Sequence, residues 1–183
     1  MATEPGSALS IAADNETAAS VSALWDEFSP LEHEPSMRAL GYPPHFTFAV
    51  CPGLEAGVLW AAVAPALTGL RPVTVRFAEI CAFDGAQPVL WAKPDETSSI
   101  RRLYDRIHAL LEPARCAVHY RPDQWVAHCT LATAVRPECR EAALALCGAL
   151  PEPVEVRFDR FDCVAFPPVR VTRSLPLQSQ EGV

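Results

Sequence analysis

The sequence predicts a fold of strands and helices built as two similar halves around a pseudo-two-fold axis. Three observations predict it. The order strand, helix, strand, helix, long strand occurs twice along the 183 residues. Pro72-Val73-Thr74-Val75-Arg76-Phe77 recurs 81 positions later as Pro153-Val154-Glu155-Val156-Arg157-Phe158. His45-x-Thr47 recurs 83 positions later as His128-x-Thr130. Two separate matches at nearly one offset indicate an internal duplication, with one short loop deletion accounting for the difference. We therefore expect a single bilobal domain over 1–183, with half-repeats at about 9–93 and 94–177. Residues 1–7 and 178–183 are expected to be flexible termini.

Each element has a local reason. Leu9 to Ala12 is a short apolar run and reads as a strand. Residues 15–28 place Val21, Leu24, Trp25 and Phe28 at helical spacing, with Asp14 or Asn15 as the cap. Residues 29–44 hold four prolines and no period, a connection long enough to suggest function. Alternation makes 45–50 a strand. Residues 54–67 read as a helix disturbed late by Pro65. Two strands, 73–83 and 88–93, flank a turn at Asp84-Gly85. The helix at 97–112 carries Ile100, Leu103, Ile107, Leu110 and Leu111 on one stripe. Residues 126–132 form a strand, and Pro137 opens a helix at 138–150. Strands at 154–166 and 169–177 are separated by Pro167-Pro168.

Composition limits the function. Half the residues are hydrophobic and 20% charged, which excludes a disordered chain. The formal net charge of −7 argues against a long nucleic-acid track, because non-specific grip on phosphates needs clustered Lys and Arg. A small phosphorylated ligand remains compatible. The seven cysteines contain no C-x-x-C pair, which removes zinc-ribbon and thioredoxin readings. They read as free, mostly buried thiols of a reducing compartment. Residues 1–7 hold Glu4 and no basic residue, unlike a secretory signal, and no apolar run is long enough to span a membrane. The expectation is a cytoplasmic monomer without membrane contact.

Alternation also orients the repeated motif. His45 and Thr47 share one strand face, while Phe46, Phe48 and Val50 share the other, which must be the core. His128 and Thr130 likewise stand opposite Ala127, Cys129 and Leu131. If the halves pack about a two-fold axis, two imidazoles and two hydroxyls meet across a cleft. That set suits phosphoryl chemistry without a metal. One imidazole takes a proton from the attacking oxygen, the other gives one to the leaving oxygen, and hydroxyls donate to the non-bridging oxygens. A zinc site is disfavoured, because Cys129 points away from His128 and no spacing supplies further ligands.

HFTF at 45–48 and HCTL at 128–131 resemble the paired His-x-Thr/Ser-hydrophobic motifs of the two-histidine (2H) phosphoesterase superfamily, which includes 2′-5′ RNA ligase-like proteins and cyclic phosphodiesterases. The resemblance runs from about Leu9 to Leu177. It implies an α+β fold whose lobes are each an antiparallel sheet with helices, enclosing a central cleft. It also implies a reaction, without metal or other cofactor, at the 2′,3′-cyclic phosphate end of a nucleotide or short RNA, or at a 2′-5′ phosphodiester. His45 and His128 would be catalytic, and Thr47 and Thr130 would bind substrate. The alternative is a module of the same fold that binds a nucleotide or RNA end with little turnover.

Secondary candidates surround the motifs. Tyr42 and Trp125 flank them as possible base-stacking rings, with Trp125 on the core side by alternation. Arg173 is the candidate for charge near the substrate, with Arg170 and Arg121 behind it. Arg76 and Arg157 leave the core side of their strands and read as ion-pair partners. His33 reads as a surface group, His108 as a helix-surface group and His119 as structural.

Overall fold

The computed structural model describes residues 4–178. The chain forms β1 (Gly6–Ala12), α1 (Ala18–Phe28), α2 (Ser36–Ala39), β2 (His45–Pro52), α3 (Ala56–Leu67), β3 (Val73–Phe83), β4 (Val89–Pro94), α4 (Ser98–His108), β5 (Cys129–Ala132), α5 (Arg140–Ala145), β6 (Gly148–Phe158), β7 (Arg160–Phe166) and β8 (Arg170–Pro176). The strands build two four-stranded antiparallel sheets, ordered β2-β1-β7-β8 and β5-β4-β3-β6, with helices flanking them.

The P-V-x-V-R-F repeat lies where the two halves meet. Its copies are antiparallel neighbours, with Val73 opposite Phe158, Val75 opposite Val156 and Phe77 opposite Val154. Beyond this crossing β3 runs on beside β4, and the second copy runs on as β7 beside β1. The expected single strand at 154–166 is thus two strands in different sheets. The switch falls at Asp159, whose N–H donates to Ala12 O and whose carbonyl accepts from Leu177 N–H. Arg76 pairs with Asp95, and Arg157 lies 3.8 Å from Asp159.

Other boundaries shift for local reasons. β1 begins at Gly6, so residues 6 and 7 belong to the sheet rather than to a flexible terminus. A Cβ on Gly6 would sit 2.6 Å from Cys51 O, so the strand packs there only as glycine. The expected terminal segments 1–3 and 179–183 lie outside the described residues. The helix at 138–150 divides into a 3-10 turn at Pro137–Cys139 and the short α5, and β6 has begun by Gly148, where φ is +135°. α1 starts at Ala18 because Asn15 Oδ1 accepts from both Thr17 N–H and Thr17 Oγ1, which makes a turn ahead of the helix.

One apolar core runs through both sheets. It includes Leu9 and Ile11 of β1, Phe46 and Phe48 of β2, Phe77 of β3, Tyr104 and Ile107 of α4, and Phe158 and Phe161 of β6 and β7. His108 belongs to this core and not to the helix surface. It is 8% exposed, and its Nε2 lies 2.9 Å from Phe48 O. On the other face of the first sheet a small second cluster gathers Ala8, Ala12, Tyr42 and Val164.

Candidate functional site

β2 and β5 are edge strands at corresponding ends of their sheets. Their alternation is as expected as far as Phe48: Phe46, Phe48, Cys129 and Leu131 are fully buried, and His45, Thr47, His128 and Thr130 are half-buried on the opposite faces. Val50 departs from it, because the register shift between Leu9 and Ser10 breaks the alternation and turns Val50 from the core to the His45 side. His128 lies one residue ahead of β5 as the ladder defines it.

An edge strand leaves carbonyls without a ladder partner. Two tryptophans fill that role at the motifs. Trp125 Nε1 donates to Thr47 O at 2.9 Å, and Trp25 Nε1 donates to Thr130 O at 3.1 Å. Each indole therefore reaches the motif of the other half and ties the two edges together. Trp125 is a core anchor packed on Phe48 and Tyr104, not a platform for a base. Neither role is visible in a periodicity, although a buried indole N–H usually finds an acceptor.

The two imidazoles are held alike. His45 Nδ1 lies 2.8 Å from Pro43 O, and His128 Nδ1 lies 2.7 Å from Val126 O. A carbonyl only accepts, so each Nδ1 carries the hydrogen and each Nε2 is left to take or give a proton. Burial lowers the proton affinity of both rings below the usual imidazole value. His45 falls to about 4, chiefly by desolvation and further by the positive charge of His128, against a smaller opposing pull from Pro43 O and Asp162. His128 shifts the same way by burial, opposed by its bond to Val126 O. His45 therefore feels the charge of His128, and burial makes both rings resist a proton.

The strand registers place equivalent rows beside the two motifs. Thr47 stands opposite Ser10, and Ser10 opposite Asp162. Thr130 stands opposite Trp91, and Trp91 opposite Cys81. The rows match in position and differ in chemistry. Ser10 Oγ lies 3.3 Å from Thr47 Oγ1. Asp162 is fully buried and accepts from Tyr42 Oη at 2.7 Å, Ser174 Oγ at 2.6 Å and Arg160 Nε at 2.9 Å. On the second sheet Phe83 meets His128 edge-on at 5.0 Å and stacks on Trp91 at 4.9 Å. Sequence reading missed Ser10, Asp162, Phe83 and Trp91; the 81-residue offset that relates Ser10 to Trp91 and Cys81 to Asp162 was the available signal.

Beside His45 and Thr47 is a pocket of about 180 Å³, lined further by Ser10, Tyr42 and apolar side chains including Val164 and Phe166. Tyr42 sits in this lining, but it is 6% exposed, its ring meets His45 edge-on at 4.9 Å and its hydroxyl is taken by Asp162. It braces the imidazole and offers no open stacking face. Arg173 is not in the pocket. It stands opposite Cys163, whose thiol bonds Ala56 O of α3, so it belongs to the helix-covered side of the sheet. Arg170 and Arg121 line other depressions. Among the described residues, no three His, Cys, Asp or Glu side chains gather as a metal-ligating group.

Two antiparallel sheets carrying a histidine and a threonine apiece on their edge strands define a two-histidine phosphoesterase fold. The family model for the 2'-5' RNA ligase superfamily matches residues 13–166, and the chain belongs to that superfamily. Solved structures agree on the fold. E. coli LigT complexed with 3'-AMP superposes with a TM-score of 0.61 at 16% identity, covering 96% of this chain and 97% of that one. A crystal structure of a phosphoesterase gives 0.59 at 13% identity, covering 95% and 99%. E. coli LigT complexed with phosphate gives 0.57 at 16% identity, covering 96% of both. No curated protein sequence matches the chain. Family and fold support a phosphodiesterase-type activity. Among the described residues, no helix is long and apolar enough to cross a membrane.

Proposed function

We propose that the protein is a phosphodiesterase that opens 2′,3′-cyclic phosphate ends of nucleotides or short RNA without a metal, with His45 and His128 as general base and acid. The observation that carries this reading is the matched pair of imidazoles, each with Nδ1 on the carbonyl two residues upstream and Nε2 free. In this reading His45, whose ring is lowered to about 4, is the base, and its Nε2 takes the proton of the attacking water. As the new P–O bond forms, one ring P–O bond breaks, and His128 Nε2 protonates the departing ribose oxygen. With a 5′-hydroxyl in place of water the same displacement forms a 2′-5′ linkage as the 3′-oxygen leaves, and in the reverse cleavage the two histidines exchange roles. Thr47 and Thr130 donate to the non-bridging oxygens.

Charge supports a diester. No Lys or Arg lines the pocket at His45. A singly charged diester suits that better than a doubly charged monoester. The scarcity of local cations, with the net charge of −7, also favours a small or end-recognised substrate over a long RNA. The superfamily's bound 3'-AMP in E. coli LigT is in keeping with a small nucleotide. In this reading the chain is one bilobal domain of two half-repeats acting as a cytoplasmic monomer, with the boundary expected at 93 moved ahead of β4, because Trp91 stands beside Thr130 as Ser10 stands beside Thr47.

The test is a panel of 2′,3′-cyclic nucleotides and 2′-5′-linked dinucleotides, assayed with and without chelator. We expect turnover that survives chelation and falls ~10²–10⁴-fold in His45→Ala and in His128→Ala. Thr47→Ala and Thr130→Ala are expected to cost ~10-fold or more. Near wild-type rates in His128→Ala would refute the assignment. Tight binding of these ligands with no turnover would identify a binding module instead.

A further inference from the structure

Away from the motif faces, two thiols meet inside the protein. Cys51, near the end of β2, and Cys116, just after the 3-10 turn Pro113–Arg115, have their Sγ atoms 3.7 Å apart. They are 65 residues apart in sequence and 1% and 2% exposed. The backbone holds them in register, because Ala117 N–H donates to Val50 O at 2.8 Å. Cys51 is also fixed opposite Ser7 in the β1–β2 ladder. The remaining gap is small, since a disulfide needs the sulfurs about 1.6 Å closer, within reach of side-chain rotation.

We propose that Cys51 and Cys116 form a redox-active dithiol that a hydroperoxide converts to an intramolecular disulfide, fastening the end of β2 to the segment that precedes the second His-x-Thr motif. The two sulfurs have different surroundings. Cys116 lines a surface depression of about 400 Å³ together with Gly53, Arg115 and Arg121, which gives a small oxidant a route to it. Arg121 Nε donates to Cys116 O, so a cation stands beside this thiol. The bond from Cys51 and the charge of Arg121 pull the Cys116 thiol below its ordinary value, while Cys51 is pushed up. Cys116 is therefore the nucleophile and Cys51 the resolving thiol. The Cys116 thiolate attacks the peroxide, forming an S–O bond as the O–O bond breaks and an alcohol or water leaves. Cys51 sulfur then attacks the sulfenic sulfur, the S–S bond forms, the S–O bond breaks and water leaves. Two electrons pass from the thiols to the peroxide.

The bond would close a long loop and hold the segment from which Trp125 reaches Thr47 O. A loop of that length predicts a rise in melting temperature of about 10 °C. The experiment treats the native protein with hydrogen peroxide, counts thiols after denaturation, maps peptides by mass and compares melts with and without reductant. We expect two of the seven thiols to disappear, one linked peptide pair containing Cys51 and Cys116, a mass loss of two hydrogens and a reductant-reversible rise in melting temperature. Cys51→Ser should stop at a Cys116 sulfenic acid that a dimedone-type probe labels. Seven reactive thiols after oxidation, a bridge to Cys163 in place of Cys116, or unchanged melting of the linked form would each overturn the proposal. Peptide mapping of the unmutated protein keeps the test valid if a variant does not fold.

Discussion

The lowered proton affinity of His45 has a consequence for stability that can be worked through. An unfolded chain exposes the imidazole, which then takes a proton near its ordinary value of about 6.5. In the folded protein burial and the charge of His128 depress it to about 4. The unfolded state thus binds more protons, and stability is lost as pH falls below the unfolded value. Between pH ~7.5 and ~5 this one ring removes about 2 kcal/mol, trimmed toward ~1 kcal/mol by solvent screening at a half-buried group. His45→Gln removes the titration and keeps an amide donor for Pro43 O. Urea unfolding of both proteins at the two pH values isolates the effect, since carboxylates contribute equally to each. The wild type should lose ~1–2 kcal/mol more than the variant on acidification. Equal losses would show that His45 is not held in an environment that resists its charge.

Two further outcomes are expected. The productive state carries one proton on the histidine pair, so kcat/KM should be bell-shaped with its maximum between about pH 4 and the ordinary imidazole value near 6.5; a maximum above pH ~7.5 would refute the assignment. Glu32 is 6% exposed and its carboxylate accepts from Ser36, Thr133 N–H at 2.9 Å and Ala134 N–H at 3.1 Å, so it clasps the 29–44 connection to the end of β5. Glu32→Ala should cost about 1–3 kcal/mol by taking a charged acceptor from these part-buried donors, read by denaturant unfolding, and a loss below ~0.5 kcal/mol would sink the clasp.

The motif strands are legible in sequence because a half-buried strand must alternate, and His-x-Thr beside Phe46, Phe48, Cys129 and Leu131 can be oriented only one way. The P-V-x-V-R-F repeat is legible because both copies occupy one crossing. What lies beyond reach is pairing. Nothing local says that 154–158 joins one sheet and 160–166 the other, because both segments are equally strand-like and only the partner at Asp159 changes. Arg173 misleads for the same reason: its face depends on a register shift between Cys163 and Val164 that no alternation pattern encodes. Glu32 and Asp162 carry no local signal of their burial, because the donors that meet them come from distant segments. The 29–44 connection reads as irregular, yet a backbone bridge between Glu32 and Val135 and the carboxylate clasp give it a fixed seat.

The symmetry and its violation do different work. Equivalent registers bring Thr47 and Thr130, and the imidazoles ahead of them, to matched positions, which is what an in-line displacement requires of two proton-transfer groups. If the rows beside them were also identical, the two rings would have equal proton affinities and neither would be preferred as acid. The rows are not identical. Ser10 and the buried carboxylate of Asp162 stand on the first sheet, and Trp91, Cys81 and Phe83 stand on the second. Asp162 draws a proton toward His45, but Tyr42, Ser174 and Arg160 already engage that carboxylate, so its pull is weaker than the cost of burying a charged ring. His45 therefore resists a proton despite that carboxylate. Because the two sites interact, a proton taken up there belongs to the pair. In the proposed reaction, the matched registers thus account for where the two imidazoles stand, and the unlike rows beside them give the two rings different surroundings.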